Sequence, residues 1–419
     1  MATTRKSDPQ KSPAKKPVAK RSTGTKKKKA NSHSLALLLV IAIILGGAFI
    51  GYKLGLVKAE TFSGLLEDFN VDEIAAEWPV LDQEQISFAT VTPTVPAALG
   101  SDWYQLYFTT PRLPDEPQPE TAPIMQGLIE VISSARTSLD IAIYELDLEV
   151  VADAILAARD RGVAVRLVTD SDELEILEPL IRLQAAKVPI IGDNRSALMH
   201  NKFAVIDGQA VWTGSWNFTA NDTFRNNNNA LYLRSPQLAQ NYQAEFEEMF
   251  SGGAFGPTSP INTPNPRIII DTSLIETCFA PEEKCADQLV SLLRQAQHSI
   301  RFLAFSFTND DIGKIVIDRA KADVIVQGVF ETRGAGTDAS EYGRMRRQKM
   351  DVHLDGNPYT MHHKLFIIDD KTVIMGSFNF SDNADASNDE NMLMIHDAGL
   401  AQQFQAEFER VYDQARQVE

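Results

Sequence analysis

Cysteine is nearly absent: 419 residues hold two, Cys278 and Cys285. That excludes a multi-disulfide scaffold and a cysteine-rich zinc module. Glycine and proline together supply 43 residues without a Gly-X-Y period, which excludes a collagen-like chain, and a hydrophobic share of 44% excludes a wholly disordered one. Histidine is sparse as well, at seven, so any histidine that recurs in a repeated pattern carries weight.

Charge is plentiful but unevenly placed. Residues 1–33 carry eleven Lys or Arg, including Lys26 to Lys29, against one acid, Asp8, for a charge of +10. The remainder holds 29 basic and 55 acidic residues, a balance of −26. Between the two lies Leu35 to Tyr52, eighteen residues without a charge and about as long as a hydrocarbon core is thick. Residues 1–33 are therefore expected to form a basic, disordered cytoplasmic tail and residues 34–52 a single transmembrane signal-anchor. A cleaved signal ending near Val57-Lys58-Ala59 is the alternative. The bias of Lys and Arg toward the cytoplasmic flank predicts an extracytoplasmic catalytic region. Residues 53–100, acidic and then Thr/Val/Pro-rich, are expected to be a stalk.

The rest of the chain is one unit used twice. Met199 to Asp207 (MHNKFAVID) returns as Met361 to Asp369 (MHHKLFIID), Gly214 to Phe218 (GSWNF) as Gly376 to Phe380 (GSFNF), and Gln243 to Glu247 (QAEFE) at Gln405, each displaced by 162 residues. Such self-similarity is a duplication, with repeat 1 expected over 101–262 and repeat 2 over 263–419. Upstream, Thr121 is an expected helix cap before Pro123, followed by SLDIAIY as a strand, Leu148 to Arg161 as a helix stopped by Gly162, and VAVRLVT as a strand. CADQLVSLLRQAQ, SIRFLAF, a helix around Ile312 to Ala322, and VIVQGVF repeat that order. Alternating strands and helices imply α/β units with mostly parallel sheets.

Each copy carries His-x-Lys, an Asp five residues after the Lys, then Gly-Ser-x-Asn. These are His200, Lys202, Asp207, Ser215 and Asn217 in the first, and His362, Lys364, Asp369, Ser377 and Asn379 in the second. Strand alternation puts each His and Lys on one face. A neutral imidazole can attack an electrophilic centre, a protonated one can donate to a leaving oxygen, and two ammonium groups can neutralise phosphodiester oxygens. Ser and Asn add neutral donors for the same oxygens. This chemistry needs no metal and no cofactor.

The twice-repeated pattern resembles the phospholipase D superfamily signature, HxK(x)4D(x)6GSxN, from about Trp103 to the C-terminus. The resemblance implies two packed α/β sandwich units with pseudo-two-fold symmetry, so that one chain holds the whole active unit, and a reaction through a covalent phosphohistidine. It makes His200 the expected nucleophile, His362 the general acid, Lys202 and Lys364 the phosphate holders, and Asp207 and Asp369 the residues that orient the imidazoles. Sequence alone leaves the identity of the attacking histidine open. The family often places an acid shortly after GSxN. Glu390 fills that position in the second copy, whereas Asn228 stands there in the first, so the two histidines are expected to differ electrostatically.

Several residues fit simpler roles. His363 should face away from the catalytic pair, and Asp170 and Asp172 suit a turn or cap. Cys278 and Cys285, seven apart, are expected to pair if the region lies outside the membrane. Asn221-Asp222-Thr223 is a formal glycosylation sequon. The leading function is a membrane-anchored phospholipase D whose partners are phospholipid and membrane. A nuclease of the same superfamily is the first alternative, for which Arg333, Arg344, Arg346, Arg347 and Lys349 could line a groove, and a noncatalytic scaffold is the second. The −26 remainder favours lipid over a polyanion.

Overall fold

The computed structural model describes residues 99–117 and 122–418. The basic tail, the apolar span, most of the stalk and Thr121 lie outside the described residues. No helix among those described is long and apolar enough to cross a membrane.

Repeat 1 contributes β1 (Leu99–Gly100), β2 (Tyr104–Phe108), β3 (Ser138–Ile143), β4 (Ala164–Thr169), β5 (Ile190–Gly192), β6 (Lys202–Ile206), β7 (Ala210–Gly214), β8 (Asn226–Asn227) and β9 (Asn229–Arg234). Eight of them form one sheet in the order β1-β2-β9-β7-β6-β3-β4-β5. The final two residues of the expected stalk, Leu99 and Gly100, therefore already belong to this sheet. Repeat 2 contributes β10 (Arg267–Ile270), β11 (Ser273–Ala280), β12 (Ser299–Ala304), β13 (Ile325–Phe330), β14 (Asp351–Leu354), β15 (Thr360–Met361), β16 (Lys364–Ile368), β17 (Thr372–Gly376) and β18 (Glu390–His396). Its sheet, β10-β11-β18-β17-β16-β12-β13-β14, has the same topology.

The expectation of mostly parallel sheets is corrected. Only β3-β4-β5 and β12-β13-β14 run parallel; the other pairings within both sheets are antiparallel. The strand-helix-strand segments do make right-sized crossovers between parallel neighbours, but the motif-bearing half of each repeat is a run of hairpins. In the first hairpin, Asp207 and Gly208 sit at φ +55° and +62°, and the Gln209 N–H donates to the Ile206 carbonyl. Two central residues at positive φ are the mark of a type I′ turn, which suits the twist of paired strands. Asp369 and Asp370, at +53° and +56°, repeat it between β16 and β17.

Helices cover the sheets as their apolar spacing predicts. Pro123–Ser134 starts on Pro123 with Ala122 at the capping position and no side-chain cap. Glu149–Asp160 ends before Gly162, whose φ of +94° an L side chain rarely adopts. These pack into an outer core with Leu128, Ile141 and Ile155, and repeat 2 has a corresponding outer core around Leu289, Phe302 and Val316. A third core lies between the repeats and belongs to both. Phe203, Tyr242 and Phe246 meet Phe279, Leu365, Phe404 and Phe408 there. Phe108 packs edge-on against Phe404 at 5.3 Å, and Tyr242 against Phe279 at 5.1 Å.

Besides this apolar seam, the backbones cross. β8 of repeat 1 pairs in parallel with β15 of repeat 2, and Met199 bridges to Asp389. The His362 N–H donates to the Asn227 carbonyl and the His200 N–H to the Asp389 carbonyl, each at 3.0 Å. The segment entering each histidine is thus held by the segment after Gly-Ser-x-Asn of the other repeat. Such reciprocity is what a pseudo-two-fold axis produces.

Candidate active site

His200 and His362 both lie at this crossing, almost fully buried. His200 Nδ1 is 2.8 Å from Glu390 Oε2, the carboxylate coming from repeat 2. His362 Nδ1 is 3.0 Å from Asn228 Oδ1, the amide coming from repeat 1. Both oxygens also accept from a serine hydroxyl: Ser377 to Glu390 at 2.6 Å and Ser215 to Asn228 at 2.8 Å. A carbonyl oxygen can only accept, so His362 carries its hydrogen on Nδ1 and keeps a lone pair on Nε2. At His200 the reactive form is the one that carries its hydrogen on Nδ1, toward Glu390, and leaves Nε2 free.

Lys202 and Lys364 are buried beside them. Each Nζ donates to the carbonyl of its own histidine, at 2.8 and 2.9 Å. Each ammonium also lies over an aromatic ring, Tyr144 at 5.2 Å and Phe305 at 4.6 Å, and these rings pack against His200 and His362 in turn. Burial drives Lys202 down to about 8, against the pull of Glu390 and Asp222, and drives Lys364 down as well, helped by Lys202. Burial and the two lysines push both histidines well below the usual imidazole range. Both imidazoles are therefore held neutral. An anionic phosphodiester between the lysines offsets their charge and makes protonation of one ring feasible.

A family model described as "Cardiolipin synthase, PLD-like domain" matches residues 128–250 and again residues 289–412. The chain belongs to the phospholipase D superfamily. Among curated relatives, a mitochondrial cardiolipin hydrolase of Xenopus tropicalis is 35% identical over 135 residues, covering 32% of this chain and 64% of that protein. A phospholipase D of Rickettsia bellii is 32% identical over 149 residues, covering 34% of this chain and 74% of its own. The match thus spans a little under two thirds of the Xenopus protein's length. The crystal structure of phosphatidylserine synthase from Haemophilus influenzae is 14% identical and covers 76% of this chain and 87% of that one with a TM-score of 0.57, a likeness of fold.

Within this phospholipase D framework some motif residues stand elsewhere than expected. Asp207 and Asp369 do not orient the imidazoles. Asp207 Oδ1 accepts from the backbone N–H groups of Arg136, Thr137 and Ser138 and from the Thr137 hydroxyl. Asp369 accepts likewise from Gln297, His298 and Ser299. Both aspartates occupy hairpin turns at the far end of β6 and β16, where they tie the turn to the start of the neighbouring strand. Ser215 and Ser377 are fully buried and spend their hydroxyls on Asn228 and Glu390 and on accepting the Asn229 and Asn391 N–H groups, so they position the histidine partners rather than bind phosphate. Asn217 and Asn379 have side-chain amide oxygens without partners and remain suited to polar contact with a ligand.

Other residues keep simpler roles. His363 faces the opposite side, between Glu407 at 3.0 Å and Asn229 at 2.8 Å. Asp170 caps a short helix and also accepts from the Met199 N–H, steadying the entry to His200. Cys278 is bonded to Cys285. The basic cluster is engaged locally, Arg344 with Asp310 and Glu341, Arg333 with the Tyr359 carbonyl, and Arg346 with the Val352 carbonyl. Glu245, Glu248 and Glu282 bring three carboxylates within 4.8 Å of one another, the one group among the described residues with the composition of a cation site. Sequence reasoning missed Asp222, whose Oδ2 lies 3.5 Å from His362 Nδ1.

Proposed function

We infer that this chain is a membrane-anchored phosphodiesterase that hydrolyses phospholipids to phosphatidic acid and a free headgroup alcohol. The observation that carries this reading is the pair of cross-held imidazoles, each with a lysine beside it. In the first step His200 Nε2 bonds to phosphorus as the bond from phosphorus to the headgroup oxygen breaks, and protonated His362 gives its Nε2 proton to that oxygen. In the second step neutral His362 takes a proton from water, whose oxygen bonds to phosphorus as the phosphorus–His200 bond breaks. Lys202 and Lys364 stabilise the charge on the non-bridging oxygens throughout, joined by the side-chain amide N–H groups of Asn217 and Asn379.

The assignment of His200 as nucleophile is supported by the groups behind the rings. Burial pushes the Glu390 carboxyl up to about 8, although Lys202 draws it down, so His200 faces a weakly charged partner and stays neutral. A lipid substrate is supported by the names of the curated relatives, by the acidic remainder of the chain and by the apolar run of Leu35 to Tyr52. The test is to assay the purified full chain on phosphatidylcholine and cardiolipin vesicles and on single-stranded DNA, beside His200→Ala and His362→Ala. Lipid turnover lost by at least about a hundredfold in both variants is the expected result. DNA cleavage without lipid turnover would replace the substrate, and unchanged variants would overturn the mechanism.

A further inference from the structure

Asn228 leaves His362 without the carboxylate that His200 has in Glu390, yet His362 is not without a negative charge. The displacement of 162 residues that matches Asn228 to Glu390 matches Asp222 to Ala384. Each repeat therefore supplies one buried carboxylate to the other's histidine, from two different positions. Repeat 2 places Glu390 at the start of β18, against His200. Repeat 1 places Asp222 in the short helix Ala220–Phe224, against His362. Where one repeat has the acid, the other has an uncharged residue: Ala384, fully buried, opposite Asp222, and Asn228 opposite Glu390.

We propose that Asp222 is the positioning residue that stabilises the proton on His362, supplying from a displaced position the charge that Asn228 lacks. This rests on the reading of His362 as the general acid. Asp222 Oδ2 also accepts from the Asn217 N–H at 2.9 Å and Oδ1 from Asn226 Nδ2 at 2.6 Å, so the carboxylate is fixed from both sides. Asn228 fills the gap in between. Its Oδ1 takes the His362 Nδ1–H and its Nδ2 donates to the Asp222 carbonyl at 3.2 Å. The amide sets the ring's orientation and the carboxylate sets its charge.

The charged surroundings agree. His362 faces Lys364, Lys202 and His200, all of which oppose its protonation, and Asp222, which favours it. Asp222 in turn has Glu145 and Asp147 as like-charged neighbours. Burial alone would raise the Asp222 carboxyl, but His362, Asn226, the Asn217 N–H and Lys364 outweigh it and hold Asp222 ionised. For Glu390 burial outweighs Lys202, Ser377, Asn388 and Lys364, and its carboxyl is driven the other way.

A purely structural Asp222, serving only the turn at Asn217 and Asn226, makes different predictions from an electrostatic one. Asp222→Asn keeps the shape and removes the charge. The expected result is a fall in kcat of about 10- to 100-fold with KM little changed, and an alkaline limb of the pH profile displaced to lower pH. Asp222→Asn combined with Asn228→Asp returns a carboxylate to His362 from the other position and should restore most of the lost kcat. An Asp222→Asn enzyme with wild-type kcat and profile, or a double variant no better than the single, would overturn the proposal. Imidazole nitrogen shifts of His362 give a readout that needs no turnover: its protonation midpoint should move about one pH unit lower in Asp222→Asn. Should the wild-type chain cleave no phosphodiester, the functional reading fails while this titration still decides the role of Asp222.

Discussion

Glu390 is the residue at which chemistry and stability pull apart. It is fully buried, and its carboxyl is pushed up to about 8 by that burial, with Lys202 and the Ser377 hydroxyl opposing. The folded state therefore holds a proton that the unfolded chain releases near the ordinary carboxylate value. Between that value and about 8, folding stability from this group falls as pH rises. Glu390→Gln should consequently raise the melting temperature, by more at mildly alkaline than at mildly acidic pH, while lowering kcat; calorimetry at two pH values checks it. Ser377→Ala separates two roles for the serine. Loss of a hydroxyl that only steadies Glu390 lowers kcat by about tenfold and leaves KM in place, whereas loss of a phosphate contact raises KM.

At the scale of elements, the motif aspartates belong to hairpins. Burial raises the Asp207 carboxyl, but the N–H groups of Ser138, Thr137 and Arg136 outweigh it and hold it below its ordinary value, and Asp369 is held low in the same way by Ser299, Gln297 and His298. Their contribution to stability is present above the ordinary carboxylate value and is lost as pH falls through the lowered one. Asp207→Ala should cost about 1 kcal/mol of folding free energy in urea melts, a modest figure because the turn is largely exposed, and leave kcat within a few-fold. The sequence did carry a sign of this. Asp207-Gly208 between two short apolar runs is a hairpin turn signal, and it argues for antiparallel pairing in the half of the repeat that strand-helix alternation had assigned to a parallel sheet. The histidines, the lysines, the order of elements and the turn of His363 to the opposite face were legible because they follow from period and duplication. The role of Asp222 was not, since it depends on a contact between residues 140 apart in the chain, and its only trace was a mismatch with Ala384. The serines misled because their partners lie outside the motif itself, in β18 and in the segment between β8 and β9.

At the scale of the whole molecule, the shared core binds the two repeats into one folding unit. Phe404 is fully buried in it against Phe108 of the other repeat. Phe404→Ala should cost about 3–5 kcal/mol and lower the stability of both repeats together, seen as a single denaturant transition at lower midpoint by fluorescence and circular dichroism alike. The crossed histidine partners carry a different lesson. A lone repeat could assemble such a site only against a copy of itself, and both imidazoles would then be finished by the same residue. Joining the halves in one polypeptide lifts that restriction. Positions 228 and 390 become separate loci that can hold an amide and a carboxylate, and asymmetry between two once-equivalent histidines becomes heritable.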